Sequence, residues 1–345
     1  MNRFSVLDDL DDDIAADTLP VSRAERRAQR KGLTLQQVQR REQQVRAVLE
    51  QHSATDGEFV FSYQASRHER QWILDSLSGF RARHWLDDVL RLVQGGKEAS
   101  VYLCRAHEST QLEYLAAKIY RPRQFRQLRN DHLYREGREN LDASGNIITN
   151  DGMLHAMKKR TAYGQQLLHT SWIEYEYQTL RRLFDAGADV PQPFERGDNA
   201  ILMTYIGEPE MAAPLLNSIR LNTAEARRLF ERTLNNIRIM LEQDCIHGDL
   251  SAYNILYWDG EITLIDFPQV VQPGQNRSAF SIFERDVVRV CEYFSRQGVR
   301  ADGKQLAAEM WKAHAHRITP LVDPQFLDPF DVQALESYQR SLRDE

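Results

Sequence analysis

Apolar positions recur at helical spacing over residues 69–93, from Glu69-Arg-Gln-Trp-Ile through Trp85-Leu-Asp-Asp-Val-Leu-Arg-Leu-Val, and predict helix there, within an N-terminal helical extension over 51–93. The period then drops to two. Ala99-Ser-Val-Tyr-Leu-Cys and Glu113-Tyr-Leu-Ala-Ala-Lys-Ile-Tyr read as short strands joined through the polar connection His107 to Gln111, a hairpin that Pro122 closes. Residues 123–168 are polar and basic, with Gly137, Gly145, Gly152 and Gly164, and read as a long, partly ordered insertion. Ile173, Tyr177, Leu180, Leu183 and Phe184 mark an amphipathic helix over 172–184 that Gly187 ends. Ile201-Leu-Met-Thr-Tyr-Ile is a further strand. Beyond Pro214 the pattern is mainly helical, interrupted between Asn254 and Asp266 by two short strands around Asp259-Gly260.

Strands first and helices afterwards point to an α+β chain of two lobes, a β-rich one over about 94–205 and a mainly helical one over 206–320, with a tail at 321–345. The composition is that of a globular protein: 345 residues, 42% apolar and 27% charged. Nothing approaches the length of a membrane span, and the acidic start is unlike a signal peptide, so a cytoplasmic protein is expected. Cys104, Cys245 and Cys291 lie far apart without metal-ligand spacing and read as core residues.

Charge divides the N-terminal region. Residues 1–20 carry Asp8, Asp9, Asp11, Asp12, Asp13 and Asp17 against Arg3, and read as a disordered acidic tail. Over 21–50 the sign reverses: Arg23, Arg26, Arg27, Arg30, Lys31, Arg40, Arg41 and Arg46 face only Glu25, Glu42 and Glu50. This basic helical arm is either a solvated helix or a contact for RNA or another acidic surface. The net charge of −6 excludes the whole molecule as an electrostatic nucleic-acid binder.

The chemistry concentrates in His247-Gly-Asp-Leu-Ser-Ala-Tyr-Asn254, followed twelve residues later by Asp266 in Leu-Ile-Asp-Phe-Pro. A carboxylate, an amide five residues on and a second carboxylate beyond a hairpin match the protein-kinase layout. Phosphoryl transfer from ATP gathers negative charge that Mg²⁺ on hard oxygen ligands can offset, while a separate carboxylate orients the incoming hydroxyl or water. Asp249 is the candidate base, and Asn254 and Asp266 are the candidate metal ligands. Upstream, Gly95-Gly-Lys97-Glu-Ala-Ser-Val-Tyr is a small-residue loop whose N–H groups can approach phosphates. Lys118, one strand further on, is the candidate phosphate clamp; an apolar-flanked lysine needs a carboxylate partner. Glu174 and Glu176 both qualify, and Glu176 is preferred because Leu180, four residues on, sets the inward face.

With these motifs the sequence resembles the atypical protein kinases of the RIO type, most closely the RIO1 branch. The resemblance rests on Gly96-Lys-Glu-Ala-Ser-Val-Tyr, Ala117-Lys-Ile-Tyr, Trp172-Ile-Glu-Tyr-Glu-Tyr-Gln-Thr-Leu, Val190-Pro-Gln-Pro, Leu202-Met-Thr-Tyr-Ile-Gly, the His247 to Leu256 run, Ile265-Asp-Phe-Pro-Gln and Arg285-Asp-Val, in order over about 94–300. It implies a bilobal kinase-like fold with ATP and Mg²⁺ between the lobes. It pairs Lys118 with Glu176, gives Asp249 catalysis, Asn254 and Asp266 the metal, Gly95, Gly96 and Lys97 the phosphates, and Met203, Thr204 and Ile206 the adenine-contacting hinge. It further implies autophosphorylation on serine and a role in maturation of the small ribosomal subunit, with that subunit or its RNA as a partner through 21–50. Gly248 stands where most protein kinases have Arg, Phe267-Pro268 replaces Phe-Gly, no Ala-Pro-Glu follows, and the phosphate loop opens Gly95-Gly rather than Ser/Thr-Gly. Two readings compete with a RIO-type serine/threonine kinase or ATPase: a small-molecule phosphotransferase of the aminoglycoside or choline kinase type, and an ATP-switched RNA- or ribosome-binding module.

Overall fold

The computed structural model of the chain describes residues 59–96, 98–121 and 138–314. The acidic tail, the basic arm, residues 51–58 of the expected helical extension, Lys97, Pro122, residues 123–137 of the expected insertion and the tail at 321–345 lie outside the described residues.

The first described helix, α1 (Arg67–Ala82), starts at Ser66, whose hydroxyl accepts the Glu69 N–H. It ends well before the expected boundary at Val93. Residues 86–95 are instead a strand, β1 (Leu86–Gly95), which corrects the helical extension at its C-terminal end. The reason lies in its register. β1 pairs with β2 (Ala99–Ala106) through irregularities at Leu86/Asp88, Val89/Arg91 and Leu92/Gln94, and each inserts an extra residue. The inward positions Leu86, Val89 and Leu92 thereby fall three apart, a spacing that imitates a helix.

β2, β3 (Tyr114–Tyr120), β4 (Pro193–Arg196) and β5 (Ala200–Thr204) complete a five-stranded antiparallel sheet in the order β1-β2-β3-β5-β4. Strand alternation gives the sheet two apolar faces. Leu115, Ala117, Ile119 and Leu202 pack against Phe59, Phe61 and the α1 residues Ile73, Leu77 and Phe80. Ala116, Tyr120, Ile201 and Met203 point the other way, into the larger core shared with the helical lobe. Lys118 lies in the same alternation as Ala116 and Tyr120, so period two alone directs it toward that second face.

The described part of the expected insertion holds a short helix, α2 (Asp151–Lys158), and the first turns of α3 (Ala162–Asp185), a 24-residue helix capped by Thr161. Gly164 explains the early start: a Cβ there would stand 1.9 Å from the Ala156 carbonyl oxygen, so glycine lets α3 press against α2. The helical lobe comprises α4 (Thr223–Glu242), α5 (Ala279–Arg296) and α6 (Gly303–Ala313), with β6 (Ile255–Trp258) and β7 (Glu261–Leu264) as a small hairpin. Asp259 and Gly260, both at positive φ, form its two-residue turn. Cys104, Cys245 and Cys291 are buried free thiols.

Candidate active site

Strand β3 and helix α3 bring the first pair together. Lys118 Nζ donates to Glu176 Oε1 at 2.6 Å and to Asp266 Oδ1 at 2.7 Å. The Glu176 side chain is 1% exposed and that of Lys118 12%, whereas Asp266 is 47% exposed and opens to solvent. Burial by itself would lower the Lys118 pKa, but Asp266 and Glu176 outweigh it and hold the ammonium above the ordinary lysine value. Burial likewise pushes Asp266 up, and Lys118 overcomes this to hold the carboxyl below its usual range. Glu174 turns elsewhere, forming an ion pair with Arg196 of β4.

The loop before β6 carries the second group. Gly248 has φ +84°, and a Cβ there would lie 2.1 Å from the Gln269 carbonyl oxygen, so no residue with a side chain fits where most kinases hold arginine. Its N–H donates to the buried Asp286 carboxylate at 2.9 Å, and its carbonyl accepts from Arg285; both partners belong to α5. Burial pushes the Asp286 carboxyl up, against the pull of His247 and Arg285. His247 donates from Nε2 to the Ile265 carbonyl at 3.0 Å, and its Nδ1 accepts the Asp249 N–H at 3.3 Å. Its ring packs on Phe267, centroids 4.6 Å apart. The histidine thus ties the Asp249 loop to the Asp266 loop. Asp266 itself sits at φ +72°, a strained conformation for a residue other than glycine.

Asn254 donates from Nδ2 to the Asp249 carbonyl at 2.8 Å and lies 3.4 Å from Asp249 Oδ2. With its nitrogen committed, its amide oxygen is the atom left for a cation. The Asp249 carboxylate also accepts from Arg289 Nη1 of α5 at 2.8 Å.

These elements enclose a cleft of about 480 Å³ lined by Gly96, Lys118, Glu176, Met203, Thr204, Ile206, Asn254 and Asp266, with Val101, Ala116, Leu180 and Leu256 among its apolar walls. Met203 lies opposite Ala116 in the sheet, and the Ile206 carbonyl accepts the Ala213 N–H. Gly96 makes the β1–β2 turn possible, because a Cβ there would meet the Ala99 carbonyl oxygen at 2.9 Å. Gly95 ends β1 opposite Ser100, outside the cleft lining. Asn254 and Asp266 supply hard oxygens, and Glu176 Oε2 is buried without a hydrogen-bond partner among the described residues. This donor set suits Mg²⁺. No cluster of three or more His, Cys, Asp or Glu able to hold a metal occurs among the described residues.

The sequence by itself marks no role for Asp286 or Arg289. Asp286 lies in the quoted Arg285-Asp-Val motif; for Arg289 the only local signal is its position three residues on, over the same helix face.

An antiparallel sheet above a helical lobe, with a lysine–glutamate pair and a carboxylate-bearing loop facing the cleft between them, defines the bilobal protein-kinase-like fold. Within that class the RIO domain model matches residues 100–306, and the chain belongs to the RIO family. Its relatives support the RIO1 branch and a serine/threonine-protein kinase. The RIO-type serine/threonine-protein kinase Rio1 of Methanocaldococcus jannaschii is 26% identical over 239 residues, 69% of this chain and 73% of that protein. The Rio1 of Haloferax volcanii is 29% identical over 216 residues, 62% of this chain and 66% of that one. The human serine/threonine-protein kinase RIO1 is 32% identical over 130 residues, 37% of this chain and 23% of its own length. Among solved structures, a Rio2 kinase–ADP/Mg²⁺–phosphoaspartate complex from Chaetomium thermophilum covers 83% of this chain and 81% of its own, at 15% identity and a TM-score of 0.47.

Proposed function

We propose that this chain transfers the terminal phosphoryl group of ATP, with Mg²⁺, to a serine or threonine hydroxyl, its own included, or to water. The observation that carries this reading is the convergence of Lys118, Glu176 and Asp266 within 2.7 Å at the wall of the cleft. Met203 and the backbone from Thr204 to Ile206 would face the adenine, and Gly96 and Lys118 the phosphates, with Gly95 and Lys97 next to Gly96 in the sequence. Asn254 and Asp266 would hold the metal, which when bound offsets charge on the transferring group. Glu176 fixes Lys118, and Asp249 takes the proton of the incoming hydroxyl. RIO membership favours this over a small-molecule phosphotransferase.

The finer reading, action in the cytoplasm during maturation of the small ribosomal subunit, is supported by the RIO resemblance and the basic composition of residues 21–50. No described helix is long and apolar enough to cross a membrane. Purified protein with γ-labelled ATP and Mg²⁺ tests the activity, separating free phosphate from phosphoprotein with and without small ribosomal subunits. Binding of Mg·ATP without either product would replace the enzyme by an ATP-switched binding module. Products indifferent to the subunits would remove the ribosomal role.

A further inference from the structure

One turn of α5 grips the Asp249 loop at consecutive points. Asp286 takes the Gly248 N–H, Arg285 reaches the Gly248 carbonyl, and Arg289, three residues beyond Asp286, reaches the Asp249 carboxylate itself. The last contact differs in kind from the others. Arg289 is 40% exposed and Asp249 47%, and an ion pair so open to water adds little to stability. What it does set is direction. The contact runs from one guanidinium nitrogen to Oδ1 alone, at 2.8 Å, while Oδ2 has only the long 3.4 Å approach of Asn254 Nδ2. Oδ2 is therefore the oxygen left to accept a hydroxyl proton.

We infer that Arg289 is a positioning residue for the proposed phosphoryl transfer, holding the Asp249 carboxylate so that Oδ2 faces the acceptor. The inference rests on the functional reading above, in which Asp249 is the base. It acts on the chemical step and leaves nucleotide binding alone, because Arg289 does not line the nucleotide cleft. A carboxylate released from this hold samples other rotamers, and misplacement of a catalytic group by about 1 Å costs on the order of 100-fold in rate.

The test is single-turnover and steady-state kinetics with γ-labelled ATP and Mg²⁺, counting free phosphate and phosphoprotein together, for wild type, R289A, R289K, D249N and D249N/R289A. R289A is expected to lower kcat by about 10- to 100-fold with KM for ATP and the Mg·ATP-induced rise in Tm unchanged. R289K, which keeps a cation within reach, should recover part of the loss, and R289A should cost nothing further once Asp249 is Asn. Wild-type kcat in R289A, or an equal fall in the D249N background, overturns the inference. An inactive wild type would sink the functional reading itself and this role with it, whereas an active wild type matched by R289A sinks this role alone. Should R289A fail to fold, the ratio of kcat in R289K to wild type decides the matter together with R289M, whose stem has nearly the same length.

Discussion

Lys118 Nζ lies 2.6 Å from Glu176 Oε1, and this contact joins strand β3 to helix α3 through a carboxylate that solvent barely touches. Removing the lysine leaves Glu176 buried without its cation, so K118M should lose about 3 kcal/mol of stability as well as nucleotide binding. K118M/E176Q should regain part of that stability and none of the binding. Urea midpoints for the two variants measure the first effect, and titration with Mg·ATP the second. Equal midpoints for K118M and wild type would show that the pair contributes nothing to the fold.

Asp266 and Asn254 present oxygens to the cleft and contribute little to the apolar core. D266A and N254A are expected to keep most of the wild-type melting temperature in the absence of nucleotide. Their stabilisation by Mg·ATP should largely vanish, because in the proposed reading these residues would hold the cation that accompanies the nucleotide. A thermal-shift titration in which D266A gains as much as wild type would refute the metal role.

Binding and chemistry should separate at Asp249. D249N keeps the size and the Asn254 contact but removes the proposed base, so turnover should fall by a factor on the order of 10² to 10⁴ while affinity for ATP holds. Single-turnover phosphate release at the wild-type rate would assign the proton to another group.

Gly248 is expected to be irreplaceable for a backbone reason. At φ +84° a side chain is strained, and a Cβ would overlap the Gln269 carbonyl at 2.1 Å. G248A should cost on the order of 3 kcal/mol and loosen the Asp249 loop. Differential scanning calorimetry checks the first effect. Hydrogen exchange at the Asp249 N–H, which donates to His247 Nδ1, checks the second.

The basic arm allows a prediction at the level of the chain. Deleting residues 1–20 should tighten association with ribosomal RNA at low salt by removing competing carboxylates; deleting 1–46 should weaken it. Each lost phosphate contact flattens the log–log salt slope by roughly 0.7 to 0.9. Filter binding across a salt series reads both, and identical slopes for all three proteins would exclude the arm from RNA binding.

Much of the cleft was legible in the chain because its signals are local. Period two in β3 directs Lys118 to the same face as Ala116, Asp259-Gly260 supplies the positive φ values of the β6–β7 turn, and the spacing from Asp249 through Asn254 to Asp266 is a short loop and one hairpin. Two elements depart from the pattern of their sequence for equally local reasons. The bulges of β1 space its inward residues like a helix, and Gly164, a loop signal by composition, serves a close helix contact. The remaining decisions belong to the tertiary structure. Glu174 and Glu176 carry the same chemistry two positions apart; the inward position of Leu180 already favours Glu176, and the approach of Arg196 on β4 to one and Lys118 on β3 to the other fixes the partner of each. Arg289 stands forty residues from Asp249, and their pairing exists because Asp286, fixed by the Gly248 N–H, seats that turn of α5 beneath the loop. Hydrophobic period and turn chemistry depend on neighbours within a few residues, so a sequence displays them; which charge meets which across the core is set by packing of distant segments, and only the folded chain decides it.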